Sequence, residues 1–225
     1  MGKIFYIAGK SATGKDTIYE NILAREALGL RPLVPYTTRP IRANETEGVE
    51  YHFTDEEGLK RFQEEGRVIE LREYHTVHGI WKYFTVDDRH IDLEQYYYLG
   101  IGVLESFRKI REYFGDERVV PIYIEVEDGK RLERALKRER MQTQPRYEEM
   151  CRRFLADQQD FSEEKLQEAG IERRFSNDGD REVCMDQIAE FILSQETADA
   201  ACSRAEQKLC CQSSGSRDVR STLLF

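Results

Sequence analysis

Residues 9 to 15 read Gly9-Lys10-Ser11-Ala12-Thr13-Gly14-Lys15 and follow directly on the apolar run Ile4-Phe5-Tyr6-Ile7-Ala8. Such a run, ending in such a pattern, delivers a buried strand into a tight glycine-rich turn. The glycines let backbone N–H groups point inward at an anion, and a helix opening at Lys15 adds its positive N-terminal end. Lys15 would reach the outer phosphates as a point charge. The helix is carried on by Ile18, Ile22 and Leu23 at amphipathic spacing. Residues 9 to 17 are therefore read as the cradle for a nucleotide phosphate.

Asp16 stands where a Ser or Thr hydroxyl usually meets Mg²⁺, and Thr17 follows it. Three readings stay open at this point. Thr17 contacts phosphate while water completes the metal shell; Asp16 takes part through a water; or Asp16 only favours the helix N-terminus. Mg²⁺ keeps several waters, so a missing protein ligand does not abolish a site.

The 225 residues allow one substantial α/β domain with an inserted lobe. A net charge of −9 argues against a general nucleic-acid or membrane-surface binder. No N-terminal signal peptide and no apolar stretch of membrane length is seen. The five cysteines show neither metal-ligand nor disulfide spacing, which suits reduced thiols in a cytoplasmic protein. Periodicity predicts strands at 3–8, 68–72, 82–86, 96–103 and 119–126. Helices are expected at 15–28, 55–63, 104–114, 128–140, 147–168 and 180–194. Alternation of the two predicts a mainly parallel sheet with helices on both faces. Pro121 sits awkwardly in a central strand, because it cannot donate a ladder hydrogen bond. Residues 35–88 carry short alternating strands and one helix, as a small β-rich lobe would. Residues 196–225 lack periodic apolar surface and are expected to form a disordered tail, with docking of Leu223, Leu224 and Phe225 a lesser alternative.

A phosphate loop alone serves GTPases, ATPases and small-molecule kinases. Residues Tyr36-Thr37-Thr38-Arg39-Pro40-Ile41-Arg42, then Glu45, Gly48 and Tyr51-His52-Phe53, add two guanidiniums and a tyrosine. These suit a second phosphate, since guanidinium forks pair bidentately with its oxygens. A solvated basic turn explains them equally, because Glu45, Glu47 and Glu50 follow closely.

The order of phosphate loop, Thr-Thr-Arg-x-x-Arg-x-x-Glu-x-x-Gly-x-x-Tyr-x-Phe, Glu70 in Val68-Ile69-Glu70, and Gly79-Ile80-Trp81-Lys82-Tyr83-Phe84-Thr85 resembles the guanylate kinase family. An Arg-rich stretch, Arg131 to Arg153, and Phe175-Ser176-Asn177-Asp178 extend the resemblance over residues 3 to 195. It implies a P-loop NTPase-type parallel sheet over 1–195, with an acceptor-binding lobe (35–88) and a helical lid (128–160). It also implies ATP-dependent phosphorylation of GMP with Mg²⁺. Arg39, Arg42, Tyr51 and Tyr83 would hold the acceptor phosphate, Glu70 would take the guanine N1–H and amine, and Thr85 would support them. Arg138 or Arg140, with Arg42 and Arg153, would neutralise the transferring group, and Asn177 would contact the donor adenine. Most lid arginines, including Arg131 and Arg134, are expected on a solvated face laced by Glu133 and Glu139. Tyr147, Cys151, Phe154, Gln158 and Phe161 are expected to pack inward.

Three positions depart from the family pattern. Pro35 replaces a serine that contacts guanine, and Gly100 and Gly102 replace an Asp-x-Asp pair, for which Glu105 is a candidate substitute. These departures keep two alternatives open: another phosphorylated acceptor, or a catalytically silent interaction module. The retained Gly9, Gly14 and Lys15 speak against the second. His52, His75, His78 and His90 receive no role, and oligomeric state is not legible.

Overall fold

The structure, a computed structural model, describes residues 2–76, 79–88 and 90–214; His78 and the expected docking residues Leu223, Leu224 and Phe225 lie outside them. Strand β1 (Ile4–Ala8) is buried throughout. It lies between β7 (Tyr97–Gly102) and β8 (Val119–Glu125), with β2 (Leu30–Pro32) and β9 (Arg174–Ser176) at the two edges. All pairings in this five-stranded sheet are parallel. A parallel sheet is covered on both faces, and period-two alternation in β1 divides its side chains between two cores. Ile4, Tyr6 and Ala8 join Phe107, Ile110 and Leu166; Phe5 and Ile7 join Ile18, Ile22, Met185 and Ile188. Each large aliphatic buried this way contributes about 1.5–3 kcal/mol.

The helices beneath are α1 (Lys15–Leu23), α3 (Leu104–Phe114), α4 (Asp128–Arg140), α5 (Tyr147–Asp160), α6 (Glu163–Glu168) and α7 (Arg181–Ser214). The first ends earlier than periodicity predicts, because Arg25 turns extended before a short 3₁₀ turn at Glu26–Leu28 seats Leu28 in the core. The expected helix 147–168 is two helices. Phe161 leaves the helical path to bury its ring beside Tyr123, and Ser162 then caps α6 by accepting the Lys165 N–H. The last helix runs past the expected end at Ser194 to Ser214. Pro121 is accommodated because β9 pairs with β8 only from Tyr123 onward, so no partner is denied a donor there.

The small lobe is a four-stranded sheet, ordered β4 (His52–Phe53), β3 (Tyr36–Thr37), β6 (Gly79–Val86), β5 (Val68–Thr76). Helix α2 (Glu56–Glu64) packs Leu59 against Phe84 and Val86, and Asp55 caps it by accepting the Gly58 N–H at 2.7 Å. Among the described residues no helix is long and apolar enough to cross a membrane.

Candidate phosphate-transfer site

The loop joining β1 to α1 has the geometry its glycines demand. Gly14 is the left-handed N-cap of α1 with φ 83°, and no side chain caps that helix. Its first-turn N–H groups are therefore offered to an anion. A Cβ at Gly9 would stand 2.7 Å from the Ile124 carbonyl, and one at Gly14 2.9 Å from Asn177 Nδ2. Ala12 also has positive φ, at 64°, a conformation in which a side chain is strained. Lys15 is half-buried and lies 3.7 Å from the Asp16 carboxylate, which is itself 79% exposed. Thr17 is half-buried. The described residues hold no cluster of three or more acidic, His or Cys side chains for a metal. Asp16 and Thr17 supply oxygen donors of the kind Mg²⁺ prefers, and a bound Mg²⁺ would supply charge neutralisation beside them.

Asn177 is placed beneath this loop. It is buried, and its Nδ2 donates to the Thr13 carbonyl at 2.8 Å while Arg134 donates to its own carbonyl. Its amide thus braces the loop.

The lid arginines are arranged differently from the expected solvated face. Arg131 is 1% exposed, and its guanidinium reaches the Ser11 carbonyl at 3.0 Å, Asp128 and, at 2.9 Å, Asp157. Asp157 in turn accepts the Ser11 N–H at 2.8 Å. Lys10 completes the tie by donating to Gln158 at 2.7 Å. A charge-assisted network therefore joins the roots of α4 and α5 to the phosphate loop. Glu139, also expected in solvent, is buried and accepts the Arg146 N–H. Conversely, Tyr147 and Cys151 are exposed, and only the second half of α5 packs inward. The helix is turned by its charge network, so periodic apolarity misjudges which face is inside. The ties of Arg131 to Ser11 and Asp157 carried no sequence signal, since those partners lie 120 and 26 residues away in the chain.

A cavity of about 390 Å³ opens between loop, lobe and lid. Arg42, Arg131, Arg138, Arg146 and Arg153 line it together with Ser11. The expected Arg42, Arg138 and Arg153 thus meet, Arg146 is added, and Arg140 is exposed and does not line it.

The acceptor residues gather on the lobe. Buried Arg39 makes a fork to Glu45 at 2.7 and 2.5 Å and lies 5.0 Å from the Tyr51 ring. The Tyr51 and Tyr83 rings sit edge to face at 5.5 Å. The Arg39 hydrogen bonds hold the Glu45 carboxyl below its usual range. Glu70 is buried on β5; it accepts from Thr85 Oγ1 at 2.9 Å and from Arg72 at 2.9 and 3.3 Å. Arg72 was not singled out from the sequence. Burial opposes its charge, but Glu70 more than offsets that and holds its pKa above the ordinary guanidinium value.

Gly100 and Gly102 have a definite reason. Tyr6 pairs across the sheet with Gly100, and its ring lies along β7. A Cβ at 100 would meet the ring at 2.7 Å, and one at 102 the hydroxyl at 2.2 Å. Glu105 is exposed, so it is Tyr6 that fills this space. Burial pushes the Tyr6 hydroxyl well above the ordinary phenol value. Two of the unassigned histidines have local acidic neighbours: His52 lies 3.0 Å from Glu47 and His90 3.4 Å from Asp88.

A parallel sheet and a glycine loop feeding a helix N-terminus, with an arginine-lined cleft facing a small lobe, define a P-loop α/β architecture suited to holding phosphate groups. The guanylate kinase family model matches residues 1–173, and the chain belongs to that family. It is 48% identical over 56 residues to a guanylate kinase of Neisseria gonorrhoeae, covering 25% of this chain and 27% of that protein. Against a guanylate kinase of Porphyromonas gingivalis it is 28% identical over 124 residues, 55% of this chain and 65% of that one. The chain thus spans about a quarter of the first curated relatives it matches. The crystal structure of guanylate kinase from Anaplasma phagocytophilum superposes with a TM-score of 0.58 at 22% identity, covering 86% of both chains.

Proposed function

We propose that this chain transfers the γ-phosphoryl group of ATP to GMP. The observation that carries the reading is the facing arrangement of an uncapped α1 N-terminus behind Gly14 and Lys15, an arginine-lined cavity, and a lobe holding Arg39, Tyr51, Tyr83 and buried Glu70. Guanylate kinases use ATP and typically Mg²⁺. Here Thr17, and Asp16 through water, are the loop groups beside which Mg²⁺ would sit. The ion would supply charge neutralisation across the β- and γ-phosphates. Lys15 and the first-turn N–H groups of α1 hold the donor phosphates. Arg39 and the two tyrosines fix the acceptor phosphate, and Arg42, Arg138 and Arg153 neutralise charge as it develops between them. Closure of the cleft excludes water and so limits hydrolysis of ATP.

A second reading, a different phosphorylated acceptor, is favoured by Tyr6 filling the space above Gly100 and Gly102 and by the missing hydroxyl at Pro35. ADP formation from ATP and Mg²⁺, measured with each nucleoside monophosphate and with ATP alone, tests both. Turnover with GMP far above background is expected; turnover with none of them overturns the first reading. Lys15→Ala should keep the melting temperature and lose roughly 10²–10³-fold in kcat, the scale of removing one charge-stabilising group. An unchanged kcat would mean the loop does not hold the donor.

A further inference from the structure

The Glu70 carboxylate is already largely committed. A carboxylate offers about four lone-pair sites. Arg72 Nη2 at 3.3 Å and Thr85 Oγ1 at 2.9 Å meet Oε1, and Arg72 Nε at 2.9 Å meets Oε2. These bonds leave one site, on Oε2. Guanine presents two donors side by side, its N1–H and its 2-amino group, and a carbonyl at O6 on the other flank of N1. A lone carboxylate takes both donors. A carboxylate bridged by Arg72 takes one, while the guanidinium, with two of its five N–H groups directed to Glu70, offers donors to a carbonyl. Arg72 is not a surface residue that happens to reach inward. Its side chain is 15% exposed against 2% for Glu70, and it pairs across the small sheet with Tyr83, whose ring meets that of Tyr51. It therefore stands among the acceptor groups of the lobe.

We propose that the Glu70–Arg72 pair reads the N–H and adjacent carbonyl of a 6-oxopurine and leaves the 2-amino group unread, making Arg72 a specificity-determining residue. This rests on the proposed phosphoryl transfer to a nucleoside monophosphate. Adenine inverts both groups: its N1 lone pair would face the Glu70 oxygen and its amine would face Arg72. Such a mismatch in a site of buried polar groups is strongly rejected, because each group is left unpaired.

The test is kcat/KM for GMP, IMP and AMP with saturating ATP and Mg²⁺, in the intact chain. IMP, which lacks only the 2-amino group, should fall within about tenfold of GMP, and AMP should lie at least about a hundredfold below both. A GMP preference over IMP greater than tenfold overturns the inference and leaves the phosphoryl-transfer reading standing. No turnover with any of the three removes that reading itself. Arg72→Ala frees Glu70 for both donors, so the GMP-to-IMP ratio should rise at least about tenfold, the worth of one charged hydrogen bond. An unchanged ratio in a folded variant takes the role away from Arg72. Should that variant melt below the assay temperature, the ratio in the unaltered chain decides alone.

Discussion

Tyr6, Gly100 and Gly102 form a set in which each residue makes sense only beside the others. In sequence the two glycines read as missing carboxylates, and the reason for them was out of reach because Tyr6 lies on a different strand. Their coupling is measurable. Gly102→Ala places a methyl 2.2 Å from the Tyr6 hydroxyl, an overpacking that should destabilise by about 1–3 kcal/mol. Tyr6→Phe removes the clashing oxygen, leaving the ring carbon at 3.2 Å. The double variant should therefore recover part of the loss in urea unfolding, and strict additivity would show that the two do not touch in solution. The phosphate loop lies at the other extreme. Gly9, Gly14 and Lys15 were legible because backbone conformation and charge at fixed offsets are local properties.

At the level of elements, legibility followed the same rule. Strands β1 and β8 and helix α3 carry their own periodicity and lie close to where it predicts them. The 147–168 helix failed because the local pattern says nothing of Phe161 leaving to enter the core. The lid failed in a more instructive way. Helix α4 buries Arg131 and leaves Leu132 38% exposed, since oxygens from the loop, from α5 and from the first turn of α4 itself satisfy the guanidinium. Removing a buried partner strands the others, at a cost of about 3–5 kcal/mol. Arg131→Met should show that loss in chemical denaturation. Arg131→Lys should restore little of it, because an ammonium cannot reproduce the fork to Asp128 and Asp157. A change below 1 kcal/mol would mean the network is not what holds α4 in place.

Across the whole molecule, carboxylates are held below their ordinary pKa by specific donors: Glu45 by Arg39, Glu149 by Arg152, Glu163 by Arg174, and Glu127 by the Gly129 and Lys130 N–H groups. The folded values lie below the unfolded ones. Their contribution is thus complete above the unfolded carboxylate range, about pH 4.3, and is lost as pH falls through the lower folded values. The melting temperature should hold from pH 7 to about 5 and drop below that, and Glu45→Gln should make the drop shallower. A melting temperature indifferent to acid would contradict these pairings. Cysteine chemistry follows burial in the same way. Burial pushes the Cys184 thiol up to about 11, whereas Cys151 is exposed. Iodoacetamide at pH 8 should label Cys151 and spare Cys184, as peptide mapping would show. The tie from Arg131 through Asp157 to Ser11 has one more consequence, for how the molecule moves. A cleft needs only one travelling jaw, and swinging the base of α4 and α5 outward would pull Arg131 off the Ser11 carbonyl and Asp157 off the Ser11 N–H. The lid base is thus the anvil, and the lobe, joined to the sheet by the two chain crossings near Leu33 and Leu93, is the hammer.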